Sequence, residues 1–157
     1  MDKHQHKLRL VLYAIFTLAA LVILVDFVSP GRIINDEIID VHQERQQSYN
    51  AARNYHYSYK VVTNEHQFLV TEGFAELELV NKKIEYSVSP IFKEVNWYRL
   101  LSSQDKSFYS LRIASGLVLP LLTIVLIFVA FRYKRKIGTI VFILQILLIA
   151  DLIFLMT

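Results

Sequence analysis

Residues 113–156 read IASGLVLPLLTIVLIFVAFRYKRKIGTIVFILQILLIADLIFLM. This stretch holds two apolar runs, about Ile113 to Phe131 and about Ile137 to Met156. Between them stand residues 132–136, with Arg132, Lys134, Arg135 and Lys136 and no acid. Each run is close to the ~20 residues that carry a helix across the hydrocarbon layer. A helix satisfies its own backbone groups without water, so helices are the expected form. The short connection makes the pair an antiparallel hairpin.

A third apolar run lies at the other end of the chain, from about Leu10 to Val28, behind Lys3, Lys7 and Arg9. The rival reading is a cleaved signal peptide. The run exceeds the ~7–15 residues of such a leader, and no small-x-small cleavage site follows, so a retained anchor is expected. Hydrophobic residues make up 54% of the 157-residue chain, against roughly 45–50% in soluble domains. The excess lies in these three runs.

Net charge is +3, which raises nucleic acid as a partner. The basic residues flank apolar spans instead, as topology determinants do, so no nucleic-acid partner is expected. Residues 1–9 hold three basic residues and one acid, whereas residues 29–112 hold ten basic and eleven acidic residues. The expected topology therefore places tail 1–9 and loop 132–136 inside. The middle segment and the C-terminus then lie outside. Arg32 and Arg112, near outer span ends, argue mildly the other way. The absence of cysteine removes disulfides and thiolate chemistry. With no Asn-x-Ser/Thr acceptor either, a bacterial cytoplasmic membrane is favoured over a secretory route.

The middle segment is mixed. Pro30-Gly31 ends the first helix. Residues 29–53 lack strict alternation and read as a connector, either a short amphipathic helix or an extended stalk. From residue 54 the period becomes two. Tyr55, Tyr57, Tyr59 and Val61 share one face, the mark of a half-buried strand. Asn64-Glu65 reads as a turn and Gln67–Thr71 as the hairpin partner. Residues 74–79 fit either a strand or one helical turn. Asn81-Lys82-Lys83 is a second turn. Ile84, Tyr86 and Val88 mark a third strand, and a fourth runs through Val95, Trp97 and Tyr98. The strand content over 54–101 matches a small antiparallel barrel or curled sheet, of SH3-like or OB-like size. Residues 102–112 link this domain to the second span. The fold class is thus an integral membrane protein with three transmembrane helices and a small extracytoplasmic antiparallel β domain.

Candidate sites come from polar and small residues in unusual places. Asp26 and Asp151 lie in the outer parts of the first and third spans, where a carboxylate invites a functional reading. Either they move protons or a cation or meet a partner's basic group, or they reach interfacial water or cap loop groups. Gln145 lies in mid-span, where its amide calls for a hydrogen bond to another helix. Gly116 and Pro120 form either a tolerated kink, or a hinge and a flat face that admits a neighbouring helix. Tyr55, Tyr57 and Tyr59, with Trp97, form either core or an exposed binding ledge. His4, His6, His42, His56 and His66 show no metal-ligand spacing, and no metal or cofactor is expected. No phosphate loop or nucleophile elbow occurs. The expected partners are membrane lipids and other integral membrane proteins. Three functions fit: a non-enzymatic accessory or scaffold subunit of a membrane complex, a sensory or regulatory protein with a ligand-binding outer domain, or a transporter or channel subunit using Asp151.

Overall fold

A computed structural model describes residues 3–47, 55–133 and 138–156, with the side chains of 7–45, 57–133 and 138–156. In chain order the elements are α1 (Lys3–Val28), β1 (Arg32–Glu37), β2 (Asp40–Gln47), β3 (Tyr55–Val62), β4 (Gln67–Val70), α2 (Glu72–Ala75), β5 (Lys83–Val88) and β6 (Val95–Leu100). Then follow α3 (Ser110–Ile113), a π-helical turn (Ala114–Val118), α4 (Leu119–Tyr133) and α5 (Gly138–Met156). The chain divides into two compact units: Met1–Ser29 with Ile113–Thr157, and Pro30–Arg112.

Among the described residues three helices, which build most of the helical unit, are long and apolar enough to cross a membrane: Lys7–Val28, Ser110–Tyr133 and Gly138–Met156. Their outward surfaces are as apolar as their contacts. Leu18, Phe128, Phe142 and Ile153 are all more than half exposed. Helices that are hydrophobic all round belong in lipid or a large core, and the unit is consistent with that of a membrane protein. Tyr13 of α1, Ile127 and Ala130 of α4 and Val141 of α5 form one buried cluster, with Phe16 and Leu126 against it.

The second span is not a regular α-helix. Pro120 has no N–H and its ring crowds the carbonyl four residues back, at Gly116. The preceding residues widen into the π turn, where the Leu119 N–H reaches the Ala114 carbonyl, five residues back. One turn later the Thr123 hydroxyl donates to the Leu119 carbonyl at 2.8 Å.

The second unit holds two three-stranded antiparallel sheets, ordered β1-β5-β6 and β2-β3-β4. The chain changes sheets at Ile38-Ile39. There the Ile38 N–H donates to Lys82 O (3.0 Å), the Asn81 N–H donates to Ile38 O (2.9 Å), and the Ile39 N–H donates to Val62 O (2.9 Å). Both sheets feed one core: Ile34, Ile84, Tyr86, Val88, Tyr98 and Leu100 from the first, Val61, Phe68 and Val70 from the second. Ile38, Phe74 and Leu79 complete it. Aromatic rings fill the centre, with Phe68 and Tyr86 centroids 5.0 Å apart and Phe74 and Tyr98 4.7 Å apart.

Two expectations change here. Much of the segment expected as a connector, 29–53, is strand: β1 pairs with β5 from Arg32↔Val88 to Glu37↔Lys83, and β2 pairs with β3. The β domain therefore begins at about residue 30 rather than 54. The barrel alternative also fails, because the two sheets do not join into a closed barrel. The undecided segment after β4 is the single turn α2. Strands β3 to β6 lie within the stretches expected as strands. Asn81 has φ 65°, in the left-handed region that asparagine tolerates, as its turn requires.

Candidate functional site

Two regions carry polar groups that packing alone does not call for. The first is inside the helical unit. Asp26 of α1 is fully buried. Gln145 of α5 shares a stripe with Val141, Leu144 and Leu148, all buried, and so faces this chain's own helices. Its Nε2 is buried with no hydrogen-bond partner among the described residues. An amide in that state costs about 1–3 kcal/mol. Asp151, six residues on, is half-buried on the same helix. Gly116 is buried against α1: a Cβ there would run into the Phe27 ring. The helix that this small residue admits is the chain's own first span. Pro120 is buried beside it in sequence and sets the π turn.

The second region is the β2–β3 ribbon. Its pairs run from Asp40↔Val62 to Gln47↔Tyr55, eight in all, whereas β4 pairs only with Tyr59–Val62. Among the described residues the pairs from Glu44↔Ser58 outward have no third strand. The tyrosine stripe climbs this ribbon out of the core. Val61 is fully buried, Tyr59 is half-buried against the core, and Tyr57 is 49% exposed. The Tyr59 hydroxyl accepts from Gln43 Nε2 at 3.2 Å and donates to Glu72 at 3.4 Å. Desolvation and then the Glu72 charge raise its pKa above the usual value. The opposite face holds an exposed Lys60–Glu44 ion pair at 3.6 Å. The stripe is thus core at one end and ledge at the other. Tyr55 has its backbone in β3, but its side chain lies outside the described residues.

Trp97 does not join this ledge. It sits on β6 in the other sheet, opposite Ser87, with Lys106 Nζ 4.0 Å above its ring. Of the topology determinants, Arg132 is exposed at the end of α4, with its guanidinium 5.9 Å from the Tyr133 ring centre. Lys134, Arg135 and Lys136 lie outside the described residues. Arg112 is 5% exposed and donates from Nε to Asn96 Oδ1 at 3.0 Å. Its charge is engaged within the β unit, so it is not a free flanking charge.

Sequence reasoning did not find the buried polar cluster around Tyr86. Its hydroxyl lies 3.2 Å from Thr63 Oγ1 and 3.1 Å from His66 Nδ1. Nearby, the Asp36 carboxylate accepts from the Asn64 side chain (2.7 Å) and from the Glu65 and Glu37 N–H groups. These bonds outweigh its partial desolvation and hold its pKa below the usual carboxylate value. The partners are some 20 residues apart, and no local pattern announces such contacts. Among the described residues no group of three His, Asp or Glu side chains is placed to hold a metal ion. No family model matches this chain, and no curated protein or solved structure does either. The molecule belongs to the broad class in which apolar, membrane-length helices bracket a small antiparallel β unit.

Proposed function

We propose that this chain is a non-enzymatic accessory subunit of a larger membrane assembly. Its spans sit in a bacterial cytoplasmic membrane, with the basic ends inside and the β unit outside. The β2–β3 ribbon is the surface that meets the partner. The observation that carries this reading is the overhang of that ribbon. A two-stranded ribbon is marginal in water by itself. Here four residue pairs extend past the third strand, from Glu44↔Ser58 to Gln47↔Tyr55, with Tyr57 displayed along them. Tyrosine is a favourable interface residue, because it offers a large apolar body and a polar tip at low entropic cost. Arg45, directly across the ribbon from Tyr57, adds an exposed charge on the same face.

A photoreactive amino acid at position 57 tests this, with position 78 on the exposed loop after α2 as control. In intact membranes the position-57 probe is expected to give one discrete cross-linked species heavier than two copies of this chain, and the control none. Purification in mild detergent should return the same partner. Recovery of the chain alone at monomer mass, with no discrete cross-link at 57, would overturn the proposal.

A further inference from the structure

The helical unit carries an open apolar trough of about 460 Å³ between α1 and α4. Tyr13 and Ile127 form its buried floor, and the small residues Ala14 and Thr17 leave it open along α1. Leu18 and Phe128 stand on its two sides. The trough runs from Leu10 to Leu21, ~16 Å along the helix axis at ~1.5 Å per residue. Its lining is apolar along that length, a surface that an extended hydrocarbon chain can cover.

One end of the trough is basic. Leu10 and Phe131 line it there, and the next residues outward are Arg9 and Arg132. Arg9 Nε donates to the Tyr13 hydroxyl at 2.6 Å, which fixes the guanidinium against the trough floor. Its terminal nitrogen also reaches the start of α5, 3.9 Å from where a Cβ on Gly138 would stand. Among the described residues neither Arg9 nor Arg132 has a carboxylate partner. Residues 1–9 and 132–136 together hold seven basic residues and one acid. An apolar trough that ends at guanidinium groups with no carboxylate partner among the described residues complements an acyl chain joined to an anionic headgroup. Guanidinium presents several N–H donors in the geometry that phosphate oxygens accept.

We infer that this trough is a binding site for one acyl chain of an anionic phospholipid, whose phosphate is held by Arg9 and Arg132. The inference requires only that the helices stand in lipid. It is independent of the partner proposed for the β unit.

Native mass spectrometry of the full chain, released from detergent with phosphatidylglycerol or phosphatidylcholine of the same chain length, tests it. Phosphatidylglycerol is expected to be retained at least tenfold more than phosphatidylcholine. R132Q alters an exposed side chain outside the packed core and should cut that preference severalfold, and R9Q/R132Q should abolish it. Ala14→Leu narrows the trough and should lower retention of both lipids. A helical circular-dichroism spectrum and melt in detergent matching the parent's show that each variant is folded. Equal retention of the two lipids by the parent overturns the site, as does a preference that R9Q/R132Q leaves intact. Inorganic phosphate at millimolar concentration should not displace the lipid. Displacement would make the site one for a free anion and overturn the lipid. A homodimer whose formation excludes lipid would assign the trough to a second copy and overturn it too.

Discussion

Gly31 has no room for a side chain. A Cβ there would overlap the Val88 carbonyl and the Ser87 hydroxyl, both on β5. The obstacle is backbone in a paired sheet, and it cannot swing aside. Gly31→Ala is therefore expected to cost about 1–3 kcal/mol, the usual range for overpacking, seen as a lower melting temperature of the β unit. Gly73 is the contrast. It lies in α2 with nothing within 4 Å of its would-be Cβ. Gly73→Ala should be neutral or stabilise by up to about 1 kcal/mol in the same melt, since alanine loses less backbone entropy in a helical turn. Both residues are breakers by type, and only the structure separates them. The same holds for Tyr57 and Tyr59. They share one strand face and one residue type, yet one is displayed and the other is tied to Glu72. Period two finds the face, but not where the core stops along it.

Among the elements, β3 to β6 were legible because one face of each is largely buried, as in β6, where alternate residues are buried. Strand β1 buries only Ile34 within Arg32–Glu37, so alternation never develops. Strand β2 reads DVHQERQQ and is an outer strand selected by its pairing with β3 rather than by burial. Period-two reading needs a buried face, and these strands scarcely have one. The core that β5 and β6 build has a consequence at high pH. Burial raises the pKa of Tyr86 and Tyr98 above the usual value near 10. Their neutral forms stabilise the fold below about pH 10, and that contribution fades as pH climbs through the raised native values. Tyrosinate absorbance should therefore appear in two stages, the second coinciding with loss of β structure in circular dichroism. Tyr98→Phe should shrink the second stage. It should also cost about 1–3 kcal/mol, because the Thr71 N–H loses its 2.8 Å acceptor. In the second span, Pro120→Ala restores an N–H. The ladder is expected to regain four-residue spacing, with ¹³Cα shifts of residues 114–118 moving toward regular helix values.

At the scale of the whole molecule, the three spans were legible because lipid demands only length and apolarity. The unity of the β unit was not, since it depends on β1 pairing with β5, some 50 residues later in the chain. The proposed sidedness can be checked directly. Protease added outside spheroplasts should cut within residues 54–101 or in the exposed loop 102–106, and the same sites should be no more accessible after lysis. Protection until lysis would reverse the orientation and remove the outer partner with it.

That distant pairing also sets an order of events during synthesis. Strand β1 follows the first helix almost at once, yet its neighbour does not exist until Val88 has been made. While the ribosome extends the chain, a tethered, half-apolar edge waits for its mate, and so the unit closes late and all together. A nascent chain halted near residue 80 should thus be digested as readily as an unfolded one, and a chain carried past Leu100 should resist.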